Sequence, residues 1–149
     1  MYHFGYGSNL NTQFLRKYVP SAEFLMKAYL PNFEVQFRFW SKRRNGGIST
    51  IIESPGRLVH GVIYRVDAKE MEELDILESV PQGLYKREKF LVLGENEKWI
   101  EADLYRVAKP KGPFTPSKSY VELMLSGAKD HGIDPNYMKI IEAIYERSI

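Results

Sequence analysis

Tyr6-Gly7-Ser8-Asn9-Leu10 lies almost at the N-terminus and joins two different hydrophobic periods. Ahead of it, Tyr2 to Tyr6 alternates aromatic with small or polar residues, as a short β-strand does. Behind it, Asn11 to Tyr18 carries Phe14, Leu15 and Tyr18 at helical spacing. The stretch is therefore expected to be a strand-to-helix turn. Gly7 permits backbone angles that a Cβ would oppose, and Ser8, Asn9 and Asn11 favour turns and helix N-caps. Such a turn directs several free N–H groups at one spot beside the positive end of a helix dipole. That suits a carboxylate or a developing oxyanion. Taken alone, the same residues favour an ordinary capped turn, so the rest of the chain has to decide.

The chain has 149 residues, enough for one domain over 1–149 with a substantial core. Apolar residues at 44% and charged residues at 27% are ordinary globular proportions. A net charge of +2 demands no polyanionic partner, and the absence of cysteine removes disulfides and thiolate chemistry. No apolar run approaches the roughly 18 residues of a membrane span. The N-terminus also lacks the basic and apolar regions of a secretory leader, so a cytoplasmic location is expected.

Outward from the opening turn, Ser21 to Trp40 reads as strand, turn, strand, broken at Leu30-Pro31-Asn32. Phe33, Val35, Phe37 and Phe39 share one face of the second of these strands. Ser41 to Gly47 is a polar loop carrying Lys42, Arg43 and Arg44, and Ile48 to Ile52 is a short buried run. Ser54-Pro55-Gly56 marks a turn before a strand over Val59 to Val66. Asp67 and Glu70 make a capping box for a helix running to about Glu78. Strands over Tyr85 to Leu93 and Trp99 to Val107 meet in a hairpin at Gly94-Glu95-Asn96. A Pro-rich loop from Pro110 to Pro116 leads to helices over about Ser117 to Lys129 and Pro135 to Glu146. The order lacks regular βα alternation, so the expected class is α+β: a small mixed β-barrel or strongly curved sheet with surrounding helices.

Glu78 is the most informative later position. On its helix Met71, Leu74 and Leu77 form the apolar face, and Glu78 falls roughly 40° from Leu74. Burial there and the negative helix end would both raise its pKa, as a proton-transfer carboxylate requires. Patterning by itself favours a frayed helix end, with Glu78 turned to water or paired with Lys86 or Arg87. His3, His60 and His131 show no metal-ligand spacing and read as structural, so no metal site is expected. Ser8 does not stand in G-x-S-x-G order, which argues against serine hydrolysis. Lys42-Arg43-Arg44 reads as a solvated loop, and no nucleic-acid partner is expected.

Together, Tyr6-Gly7-Ser8-Asn9-Leu10 and Leu74-Asp75-Ile76-Leu77-Glu78 followed by Tyr85 resemble the γ-glutamylcyclotransferase family. The resemblance continues through Gly46-Gly47-Ile48-Ser49-Thr50-Ile51, Ser54-Pro55-Gly56, Tyr105, Pro116-Ser117 with Tyr120, and Gly127-Ala128-Lys129-Asp130-His131-Gly132. It implies a barrel with a pocket at one edge and Glu78 as the acid/base. The turn at Tyr6, Gly7, Ser8, Asn9 and Leu10 would hold the substrate, and Tyr85, Tyr105 and Tyr120 would line the pocket. The implied reaction turns a γ-glutamyl amino acid or amine into 5-oxoproline and a free amine, without cofactor or membrane. A binding module holding a carboxylate-bearing small molecule on the same fold is the alternative. Exposed apolar edges could support a homodimer. One departure stands out: where the family commonly has Gly after the glutamate, this chain has Ser79.

Overall fold

The computed structural model describes residues 1–149. Five strands, β1 (Tyr2–Gly5), β2 (Glu23–Ser41), β3 (Gly46–Arg65), β4 (Tyr85–Gly94) and β5 (Trp99–Val107), close into a barrel in the order β1-β3-β2-β4-β5. All neighbours are antiparallel except β1 and β5, which meet in parallel at His3 and Asp103. Four helices complete the α+β arrangement: α1 (Thr12–Arg16), α2 (Ala68–Leu77), α3 (Lys118–Asp130) and α4 (Pro135–Glu146).

The period-2 alternation of the strands separates two cores. On β3, Ile63 joins a cluster with Phe4, Ala28, Ile51, Val92 and Leu104, whereas its neighbours Val62 and Tyr64 join the other. That second cluster holds Leu10, Leu15, Met71, Leu74, Met124 and Ile141, so it lies between the barrel wall and the helices. Full burial of each such Leu, Ile or Met contributes about 1.5–3 kcal/mol.

Two expected interruptions are absent as turns. The sequence reading breaks the chain at Leu30-Pro31-Asn32 and again at Ser54-Pro55-Gly56, but β2 and β3 each run straight through. The two features face one another in register: Pro31 pairs with Leu58 and Phe33 with Glu53, leaving Asn32 opposite the intervening residues. They form one irregularity shared by a long hairpin, with Asn32 at φ 66° and Gly56 at φ 83°. The Gly56 N–H donates to Asn32 Oδ1 at 3.0 Å and fastens it. Proline is tolerated in a sheet at such a bulge, where its missing N–H costs no ladder bond.

A second difference lies at the opening turn. The helix does not start there; a single 3-10 turn over Ser8–Leu10 comes first. Asn11 then caps the short α1, its side chain accepting from Phe14 N at 2.9 Å. The capping box of α2 is also half rewired. Asp67 accepts from Lys69 N and Glu70 N as expected, but Glu70 Oε1 accepts from Ser21 N at 2.8 Å. The Asp67 N–H in turn donates to Ser21 Oγ.

Candidate active site

A cleft of about 80 Å³ opens at one edge of the barrel. It is lined by the end of β1 and the following turn (Tyr6, Gly7, Ser8, Asn9), by Ser49 on β3, by Glu78 after α2, and by Tyr85, Tyr105 and Tyr120. The β2–β3 loop supplies Arg43 and Arg44. The two features singled out in the sequence, the N-terminal turn and Glu78, therefore face one cavity.

The turn is held from behind. The Leu10 N–H donates to Gly7 O and the Asn11 N–H to Ser8 O, both at 3.0 Å. By the geometry of such a turn, the N–H groups ahead of these have no partner inside it. Tyr64 donates its hydroxyl to Asn9 O at 2.8 Å. His3 is buried, and burial lowers its pKa to about 4, so the ring is neutral. Its Nε2 accepts from Asn9 Nδ2 at 3.0 Å, which assigns the Nδ1–H to Asp103 O at 3.1 Å. Gly7 is required by space as well: a Cβ there would collide with Ser49 Oγ. Leu10 alone among the residues assigned to the turn points away from the cleft, and is buried in the helix-side core.

Glu78 is the C-cap of α2. The Ser79 N–H donates to Ile76 O at 3.1 Å and the Val80 N–H to Asp75 O at 3.0 Å, the paired bonds of a Schellman ending. This ending needs a left-handed residue just after the cap, and Ser79 supplies it at φ 55°. The substitution of Ser for Gly is thus accommodated by backbone strain and leaves the helix end intact. Glu78 is partly buried and makes no ion pair; Lys86 pairs with Glu88, and Arg87 with Asp75 and Asp103. Burial pushes the Glu78 carboxyl up to about 7, against the downward pull of Arg43 and Arg44.

The tyrosines divide by what their hydroxyls do. Tyr120 exchanges a 2.8 Å hydrogen bond with Ser49 Oγ, and Tyr85 donates to Ser49 O at 2.7 Å. Tyr6 donates to Tyr105 O. Tyr105 turns its own hydroxyl to Asp75 Oδ1 at 2.6 Å, which ties β5 to α2 one turn before Glu78. Burial raises the pKa values of Tyr6 and Tyr85 well above normal, with neighbouring tyrosines and Glu78 adding to it, so both hydroxyls are neutral donors. No group of three or more His, Asp or Glu side chains is placed to hold a metal ion.

Sequence reasoning missed Ser49, Arg43 and Arg44 as walls of the cleft, whereas His3, read as structural, does prop the turn. A serine inside a β-branched run is a legible signal of a buried polar contact. The arginines gave none, because only the closure of the β2–β3 hairpin beside the cleft turns a solvated loop into a wall.

A protein of Mus musculus named gamma-glutamylcyclotransferase is 34% identical over 146 residues, which cover 95% of this chain and 77% of that one. The chain belongs to the γ-glutamylcyclotransferase family. A Bos taurus γ-glutamylcyclotransferase is 33% identical over the same shares. A solved structure named gamma-glutamyl cyclotransferase superposes with a TM-score of 0.91 at 31% identity, covering 96% of this chain and 86% of that one. The family model described as AIG2-like matches residues 58–141, from the middle of β3 into α4. No helix in this family member is long and apolar enough to cross a membrane.

Proposed function

We propose that the protein is a cofactor-independent γ-glutamyl cyclotransferase acting on a small-molecule γ-glutamyl substrate, with Glu78 as base and then acid. The reading rests above all on a carboxyl group without an ion-pair partner, raised to about 7, in the same cleft as the turn at Gly7, Ser8 and Asn9.

The substrate brings its own nucleophile, the α-amine, and its own electrophile, the γ-amide carbonyl. Holding them in five-membered-ring geometry can supply up to about 7–11 kcal/mol of the barrier. Glu78 as carboxylate takes a proton from the α-ammonium. The free amine then attacks the carbon of the γ-amide carbonyl, and the carbonyl electrons move to oxygen. Donors of the Gly7-to-Asn9 turn stabilise that oxyanion, a contribution of about 2.7–4 kcal/mol per donor in comparable sites. When the carbonyl re-forms, the bond to the original amide nitrogen breaks. Glu78 gives its proton to the departing nitrogen and then, again a carboxylate, passes the second proton of the ring nitrogen to the released amine, so the products are 5-oxoproline and the amine as its ammonium ion. One group with a pKa near 7 serves these transfers, worth about 10²–10⁴-fold. Tyr6, Tyr85, Tyr105 and Tyr120, with Ser49, shape the cleft and exclude water.

Incubation with γ-glutamyl amino acids and assay of released 5-oxoproline tests the activity. Product that persists at most of its rate in Glu78→Gln would remove Glu78 from the mechanism.

A further inference from the structure

Arg43 and Arg44 both line the cleft, and neither guanidinium makes an ion pair or a side-chain hydrogen bond within the protein. Arg44 is half-buried, with its guanidinium carbon 5.0 Å from the centre of the Phe14 ring and 5.6 Å from that of Tyr120. Cation–π contact of this kind leaves the N–H edge of a planar guanidinium free while restricting its orientation. Arg43 is exposed on the same loop, next to it at the mouth of the cleft. Two unpaired cations side by side, one of them oriented by aromatic rings, make a site for an anion, and neither is within ion-pair distance of Glu78.

The anion can be located along the substrate. On the proposed reaction, which this inference rests on, the α-amine and γ-carbonyl must sit at Glu78 and the opening turn. Everything beyond the scissile amide nitrogen then extends toward the mouth, where the arginine pair stands. In a γ-glutamyl amino acid that outer portion carries a carboxylate, and in a γ-glutamyl amine it carries none. We infer that Arg43 and Arg44 form a subsite for an anionic group on the departing amine and so select γ-glutamyl amino acids over γ-glutamyl amines.

A matched substrate pair tests this. γ-Glutamyl-alanine and γ-glutamyl-ethylamide differ only by the carboxylate on the departing amine. Comparing the ratio of their kcat/KM values between proteins cancels any intrinsic difference between the two departing amines. The measurements belong on the alkaline plateau, where Glu78 is ionised in every variant. Arg43→Gln/Arg44→Gln should lower the alanine-to-ethylamide ratio on the order of 10- to 100-fold, mainly through KM for γ-glutamyl-alanine. Arg43→Lys/Arg44→Lys should recover part of the ratio, and added salt should erode it in the parent protein.

An equal loss on both substrates would overturn the inference, since the arginines would then act on the shared glutamyl group or on Glu78. An unaltered ratio with unaltered rates would overturn it too. If the folded parent protein releases 5-oxoproline from neither substrate, it is the cyclotransferase reading that fails, an outcome distinct from the other two.

Discussion

Asp75 and Glu78 stand one turn apart on α2 and its cap, within reach of the same neighbours, and their surroundings differ sharply. Asp75 is fully partnered: Arg87 grips it at 2.9 Å and 3.0 Å, and Tyr105 donates to it at 2.6 Å. Glu78 has comparable shelter from water and no cation in contact, only the field of Arg43 and Arg44. Partnership rather than burial thus separates a carboxylate that braces the helix from one free to exchange a proton. The braced group also serves the free one. Asp75 pins α2 to β4 and β5 just before the helix ends, and its carbonyl accepts the Val80 N–H that closes the turn around Glu78.

The contrast can be broken most completely at Glu78. Glu78→Gln should cost about 10²–10⁴-fold in kcat/KM for 5-oxoproline release while leaving the circular dichroism spectrum unaltered. It should also remove a pH dependence of stability. The folded pKa of about 7 lies above the reference 4.5, so folding favours the protonated form. That stability is complete below pH 4.5 and is lost as pH rises through 7, and Glu78→Gln keeps it, a gain of up to about 3 kcal/mol in denaturant titrations at alkaline pH. His3 works with the opposite sign. Its pKa is lowered from 6.5 to about 4, so its contribution is full above pH 6.5 and fades as pH falls toward 4.

The rate profile sharpens the same comparison. With Glu78 as the base, kcat/KM should fall about tenfold per unit below pH 7 and level off above it. A flat profile from pH 5 to 9 would sink the assignment. Asp75→Asn should cost about 1–3 kcal/mol of stability by weakening the Arg87 and Tyr105 contacts. Its activity should drop less than that of Glu78→Gln and keep the same pH limb, because Asp75 positions the helix and does not carry the proton. The smallest effect belongs to Ser79→Gly. Relief of the left-handed strain should add about 1 kcal/mol to stability, read as a higher Tm, with kcat retained.

The long hairpin shows where local reading stops. Pro31-Asn32 and Pro55-Gly56 each carry strong turn chemistry, and each alone predicts a break. Only their juxtaposition across the β2–β3 ladder makes them one bulge within two continuous strands, and no local window contains both. The Ser79 position was legible in the other direction. A helix end there wants a left-handed residue, and the structure keeps that conformation although the residue is not Gly.

By itself the sequence determined the α+β class and the place of the opening turn, and it set Glu78 within the apolar sector of its helix while favouring a frayed, solvent-facing end that the structure does not have. Those features are written in hydrophobic period, capping residues and Gly positions within a few neighbours of one another. Tertiary structure decided which carboxylate was paired, that Tyr105 spends its hydroxyl on Asp75, and that Arg43 and Arg44 border the cleft. Each of these depends on barrel register, which brings together residues tens of positions apart, and a charge's partner is set by that distance in space rather than by distance along the chain.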